Sequence, residues 1–276
     1  MTALVGLKTW RDTWQVPNVS AAVVTADGAV DSYGDPDRVY GLASVTKLLT
    51  AYAVLAGVEE GALDLDDPAG PPQSTVRHLL AHTAGYGFES DAPVVGPPGS
   101  KRVYSNRGFE ELAAHFVKVT GIGFGTYLSE GVLEPLGLSA TELLGSPAYA
   151  ARSTVGDLAV FVQALLNPGL LAPETLAEAV AVHFPGLPGI LPGLGRFVPL
   201  DWGLGFERNF GRPGHWAGTQ ISPSAFGHFG ADGTFLWVDP EAGLGCVCLT
   251  DRPFGDWAKQ AWPALTDAVL AEHRPG

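Results

Sequence analysis

Residues 44–61 read SVTKLLTAYAVLAGVEEG. Within them Leu48, Leu49, Tyr52, Leu55 and Val58 recur at intervals of three and four, which lines side chains along a helix face, and Gly61 supplies a stop. A helix this apolar belongs inside the molecule, and it opens at Ser44 with Lys47 one turn further on. Positions i and i+3 are neighbours on a helix, so a hydroxyl and an amine share one face at the mouth of a buried element.

Outward from this helix, the chain divides into strands at both ends and helices between. On the N-terminal side, Leu4, Leu7 and Trp10 predict a short leading helix over residues 2–14. Ser20–Thr25 and Ala29–Tyr33 then flank the turn Ala26-Asp27-Gly28 and read as a hairpin. On the C-terminal side, a second helix is expected over Ser74–His82, with Ser74 as its N-cap, and others over Gly108–Thr120 and Phe124–Glu130. Ser153-Thr154-Val155-Gly156-Asp157 has the hydroxyl and following acid of a helix start. Phe226–His228, Thr234–Val238 and Leu244–Leu249 alternate with turns as three antiparallel strands. A final helix over Asp256–Glu272 carries Trp257, Ala261, Leu265 and Val269 on one stripe. Residues 84–101 and 183–215 are rich in Gly and Pro and read as long loops of the kind that border sites. The expected architecture is a mixed α/β (α+β) fold in one domain, residues 1–276. An antiparallel sheet is flanked by N- and C-terminal helices (residues 1–43 and 156–276), and an all-helical subdomain (residues 44–155) is inserted into it.

Composition narrows the function classes. The chain is 46% hydrophobic and 16% charged, as globular proteins are. Its net charge of -13 opposes nucleic acid and anionic lipid as partners. Cys246 and Cys248 fall on one face of a buried strand, too close in sequence for an ordinary bridge and too few for a zinc site, and read as packed thiols. Met1–Trp14 interleaves Lys8, Arg11 and Asp12 with apolar residues, unlike an export signal, and no apolar run is long enough to span a membrane, so a cytoplasmic location is expected. No cofactor or metal motif is present: His78 and His82 lie four apart, but position 79 is Leu where a zinc protease helix needs its glutamate.

Three motifs carry the chemistry: Ser44-Val45-Thr46-Lys47, Tyr104-Ser105-Asn106 and His228-Phe229-Gly230. S-x-x-K alone arises by chance roughly once in a chain of this size. Its context raises it, with Ser44 at a helix mouth, Tyr104 just after the long loop and His228 on a strand of the closing sheet. A serine hydroxyl is a poor nucleophile until a neighbouring base takes its proton. Lys47 can be that base if burial lowers its pKa.

Together with His78-Leu79-Leu80-Ala81-His82-Thr83-Ala84-Gly85, Pro98-Gly99, Trp202-Gly203-Leu204-Gly205-Phe206 and Leu236-Trp237-Val238-Asp239-Pro240, these motifs resemble the serine β-lactamase and penicillin-binding protein superfamily, in its class C branch with esterase and D-peptidase relatives. The resemblance implies that Ser44 forms an acyl-enzyme while Lys47 and Tyr104 share the proton traffic. It also implies that Asn106 holds the acyl-side oxygen, that Gly230 gives room for substrate, and that the N–H groups of Ser44 and Ala231 form the oxyanion hole. His228 stands where the family has a lysine, and a mostly neutral imidazole suits a substrate carboxylate less well. The favoured expectation is a cofactor-free serine hydrolase, a carboxylesterase acting on small esters. A β-lactamase or D-amino-acid peptidase is the alternative within the mechanism, and a non-catalytic binding module is the alternative outside it. Phe88, Trp202, Phe206 and His215 with Trp216 are further candidates for an acyl pocket, and Asp232 reads as turn chemistry.

Overall fold

The computed structural model describes residues 4–208, 212 and 214–274. Residues 1–3, 209–211, 213 and 275–276, with the Trp10 side chain, lie outside the described set. The expected sheet is present, with slightly longer strands. β1 (Val19–Thr25), β2 (Gly28–Tyr33), β3 (Phe226–Gly230), β4 (Thr234–Asp239) and β5 (Leu244–Thr250) form one antiparallel sheet in the order β2-β1-β5-β4-β3. The N-terminal hairpin thus closes onto the C-terminal meander through β1 and β5, which run Val19 against Thr250 to Val24 against Gly245. All seven residues of β5 are buried, as expected of a central strand covered on both faces.

Register decides what each face meets. Phe235 pairs with Cys248 and Trp237 with Cys246, so these four side chains share a face. That face meets the C-terminal helix (Asp256–His273), where Trp262 packs on Phe235 and Phe229 and Thr266 accepts the Trp237 indole N–H at 3.0 Å. Both thiols are buried and free, and burial pushes each above its ordinary pKa. Gly245, on the opposite face, is held against Val162 of the helix Val155–Leu166. Because side chains alternate along a strand, Phe229 turns under the C-terminal helix while His228 turns the other way, towards the helical region.

In that region α1 (Val5–Trp14) precedes the sheet, and α2 (Thr46–Glu59) is the buried helix foreseen from its sequence. Every residue of α2 from Thr46 to Gly57 is buried, so packing surrounds it instead of favouring one stripe. It does not begin at Ser44. Ala43–Val45 form a 3-10 turn, with Ala43 in the left-handed region at φ 44, and α2 follows from Thr46. The second helix, α3 (Val76–Leu80), is also shorter than expected and is capped by Thr75, whose hydroxyl accepts the His78 N–H; Ser74 precedes the cap. α4 runs Asn106–Thr120, two residues longer at its start than expected, because Ser105 caps it by accepting the Gly108 N–H at 3.0 Å. The helix Phe124–Leu128 continues as a π turn over Ser129–Leu133. Thr154 caps Val155–Leu166, accepting the Asp157 N–H at 3.1 Å as its sequence indicated. The loop at 183–215 contains structure that composition hid: Gly189–Leu191 pairs in parallel with Arg102–Val103 and antiparallel with Gly195–Phe197. The buried Arg102 guanidinium reinforces this junction by donating to the carbonyls of Ala81, His183, Phe184 and Leu200. Among the described residues, no helix is long and apolar enough to cross a membrane.

Gly230 has a packing task besides the one its motif suggested. A Cβ there would collide with the Leu42 carbonyl and the Thr234 hydroxyl, so the glycine lets β3 press against the turn that carries Ser44. Gly230→Ala is expected to cost about 1–3 kcal/mol, the usual penalty of overpacking. A urea titration should show the lowered midpoint, and an unchanged midpoint would contradict the close approach.

Candidate active site

Ser44 is half-buried in its 3-10 turn and forms part of the wall of a cavity of about 200 Å³. Tyr104, His228 and Ala231 share that wall, and Phe88, Leu191, Pro192, Phe229 and Phe254 supply an apolar remainder. Ala231 borders the same cavity as Ser44, and its carbonyl is pinned by the Phe254 N–H at 2.8 Å. A larger cavity of about 360 Å³ is lined by Val103, Ile190, Lys101 and Arg196 and has no serine, threonine or cysteine in its lining.

Lys47 is completely buried. Its Nζ lies 2.7 Å from Asn106 Oδ1, 2.8 Å from the Ala148 carbonyl oxygen and 3.4 Å from Ser44 Oγ. Burial holds the amine well below its ordinary value of 10.5; the distant Glu110 opposes this only in part, and among the described residues no carboxylate reaches ion-pair distance. A neutral amine has two N–H groups and one lone pair. Asn106 and Ala148 take the two N–H groups, which leaves the lone pair for the Ser44 proton. Asn106 therefore acts on Lys47, and it is absent from the cavity wall where the resemblance implied a substrate contact.

Tyr104 comes to the site because Ser105 starts α4 immediately after it. Its phenol hydrogen-bonds Ser44 and lies 2.8 Å from His228 Nε2. Burial pushes its pKa up, against the hydrogen bond to Ser44, and burial pushes that of His228 down. His228 is therefore neutral near pH 7, as its place in the third motif suggested. His82 has no metal partner; no metal-binding cluster occurs among the described residues. It sits in the left-handed region at φ 57, accepts the Ser105 N–H on Nδ1 at 3.2 Å and stacks on the Tyr104 ring at 4.6 Å. His78 is tied to Thr75 at 2.9 Å. Both histidines thus support neighbouring structure.

Of the candidate acyl-pocket aromatics, Phe88 alone lines the cavity. Trp202 is fully buried between the rings of His82, Tyr104 and His228, and Phe206 packs on Phe226. Asp232 occupies the turn between β3 and β4, ahead of Gly233 at φ 87. Sequence reasoning passed over one residue. Glu207, fully buried, accepts from Trp216 Nε1 at 3.0 Å, meets His215 Nε2 at 3.0 Å and faces His228 Nδ1 at 3.6 Å. The signal was an acid directly after the apolar run Trp202–Phe206. Burial alone would raise its pKa, but the hydrogen bonds of His215 and His228, with the charge they carry once protonated in acid, outweigh it and bring it to about 2.

This arrangement is matched over residues 8–270 by the family model described as Beta-lactamase. The chain belongs to the β-lactamase family. It is a hydrolase of the serine β-lactamase fold, and a β-lactamase from Mycobacterium bovis is similar to it at 51% identity, over 99% of this chain and 100% of that one, with a TM-score of 0.95. Esterase EstB of Burkholderia gladioli is 25% identical over 85% of this chain and 83% of its own. The carboxypeptidase/endopeptidase AmpH of Escherichia coli is 25% identical over 44% of this chain, and the match spans 41% of AmpH. The fold alone is shared with simvastatin synthase LovD of Aspergillus terreus, at 16% identity and a TM-score of 0.81 over 97% of each chain.

If the neutral amine of Lys47 accepts the Ser44 proton, activity rises with pH as that amine loses its own proton. The rise in kcat/KM should therefore lie well below the ordinary lysine value of 10.5. Lys47→Met, which keeps the volume without the base, should lower kcat about 10²- to 10⁴-fold in a protein that still folds. A Lys47→Met enzyme with wild-type kcat would contradict the assignment.

Proposed function

We propose that this β-lactamase family protein is a carboxylesterase that cleaves small neutral esters through a Ser44 acyl-enzyme. The observation that carries the reading is the cavity wall: it is apolar apart from Ser44, Tyr104 and the neutral His228, and among the described residues no lysine or arginine lines it. A substrate carboxylate would find no fixed cation there, whereas an uncharged acyl group finds Phe88, Leu191, Phe229 and Phe254.

In acylation the Lys47 lone pair takes the Ser44 proton while Ser44 Oγ bonds to the ester carbonyl carbon. The N–H groups of Ser44 and Ala231 receive the developing negative oxygen. The bond to the leaving alkoxide then breaks, and the alkoxide regains the proton held by Lys47, directly or relayed through Tyr104. In deacylation a water attacks the acyl carbon and hands a proton to the Tyr104 oxygen as the phenol passes its own proton to a neighbouring base, and that proton returns through Tyr104 to Ser44 as it leaves.

Cleavage of β-lactams is the rival within the same mechanism, favoured by the name and the 51% identity of the Mycobacterium bovis protein. A binding role without turnover is opposed by the complete set of Ser44, Lys47 and Tyr104 around one cavity. A short p-nitrophenyl ester and a chromogenic β-lactam, each offered to wild type and Ser44→Ala, separate the three. Ester turnover well above β-lactam turnover, lost in Ser44→Ala, is expected. Faster β-lactam turnover would sink the esterase reading, and no turnover with no labelling of Ser44 would favour the binding role. Each further methylene buried in the cavity is worth about 0.8 kcal/mol. From acetyl to butyryl, kcat/KM should therefore climb by up to about fourfold per carbon, and a flat or falling series would contradict an apolar acyl pocket.

A further inference from the structure

A buried phenol makes a poor base, because burial favours the neutral form and resists a phenolate. The reading of Tyr104 as the group that activates water in deacylation therefore needs somewhere for its own proton to go. His228 Nε2 is 2.8 Å from the phenol oxygen. Whether the imidazole can accept there depends on its tautomer. If Nε2 carries the hydrogen, the ring can only donate to Tyr104 and the path is closed. If Nδ1 carries it, the Nε2 lone pair faces the phenol O–H and the path is open.

We propose that Glu207 is a positioning residue that fixes His228 in its Nδ1–H tautomer, so that Tyr104 relays protons to His228 Nε2. This deepens the proposed esterase function and rests on it for the role of Tyr104. Glu207 Oε2 is 3.6 Å from His228 Nδ1, just beyond hydrogen-bond reach, both side chains are sealed from solvent, and Nδ1 has no hydrogen-bond partner among the described residues, so the carboxylate acts on the Nδ1 hydrogen through its charge. The carboxylate is itself held in place. His215 and Trp216 engage its two oxygens, and its main chain bridges to β3 at Gly227, N–H to carbonyl, at 3.0 and 3.2 Å. The acid is thus tied to the residue next to the histidine it addresses. A Cβ on Gly227 would collide with the Leu236 carbonyl, so the glycine lets β3 lie close against β4 beside this bridge.

In deacylation the water oxygen bonds to the acyl carbon and its proton passes to the Tyr104 oxygen. The original phenol proton passes at once to His228 Nε2, giving an imidazolium whose charge faces the Glu207 carboxylate. The acyl carbon to Ser44 Oγ bond then breaks. The proton returns from His228 through Tyr104 to Ser44 Oγ, which leaves the free acid and the starting enzyme. No phenolate forms, and Glu207 never takes the proton.

Nitrogen-15 NMR of the histidines in the whole protein, with the His228 signal identified by its loss in His228→Gln, reads the tautomer directly. A neutral His228 protonated on Nδ1 is expected, and one protonated on Nε2 would overturn the proposal. This result does not depend on what the enzyme hydrolyses. Second, Glu207→Gln should lower kcat for the ester about 10- to 100-fold, as loss of an orienting partner does. In the His228→Gln background the same change should cost nothing further. An equal loss in both backgrounds would show that Glu207 serves only the fold. If Glu207→Gln fails to fold, the wild-type tautomer still decides. Failure of the ester reading itself would show instead as β-lactam turnover faster than ester turnover in the wild type, whichever tautomer His228 holds.

Discussion

A lysine amine that solvent does not reach and that no carboxylate among the described residues neutralises is the constraint on which the site depends. A buried ammonium without a counter-ion is costly, and the cheaper state is the neutral amine. Burial of α2 on every side pushes Lys47 towards that state, and Asn106 and the Ala148 carbonyl are placed to accept two N–H groups from it. Those two partners come from the start of α4 and from the segment after the π turn, so the helical region is assembled around one nitrogen. The same burial that makes Lys47 a base leaves the cavity in front of it apolar, and the chemistry and the substrate preference share a physical origin.

The second half of the site is built on the sheet. Alternation along β3 sends Phe229 under the C-terminal helix and His228 towards Tyr104, and Gly230 lets the strand press on the Ser44 turn. Substituting an imidazole for the lysine that the family has at this place changes more than charge. A lysine ammonium donates to its neighbours, whereas a neutral histidine can accept, and its second nitrogen gives a buried acid a handle on it. Glu207 meets that nitrogen in this chain.

Much of this was legible in the sequence because it is local. The period of α2, the Thr154 cap, the alternation of β3, β4 and β5 and the S-x-x-K spacing each depend on residues within a turn or two of one another. The failures were of other kinds. Ser74 and Thr75 are both good caps, and backbone geometry chose between them. The start of α4 was misplaced because Ser105 was read as the middle of a catalytic motif, although it is also a helix cap. The strands at 189–197 were hidden in Gly- and Pro-rich sequence because their partner, Arg102–Val103, lies far along the chain. Glu207 is the clearest case, since its three ring partners lie at sequence separations from 8 to 21 and no spacing rule connects them. Asn106 and Gly230 were found as motif members, and the packing adds a second task to each, at Lys47 and at the Ser44 turn.

The central claim is that Ser44 is a nucleophile because Lys47 is an unprotonated base. Intact-mass spectrometry with peptide mapping, after exposure to an activated p-nitrophenyl phosphonate, tests it without assuming a natural substrate. One adduct on Ser44 is predicted, formed more slowly as the pH falls and absent in Lys47→Met under the same exposure. Labelling at another residue, or labelling of Ser44 at the same rate without Lys47, would contradict the account.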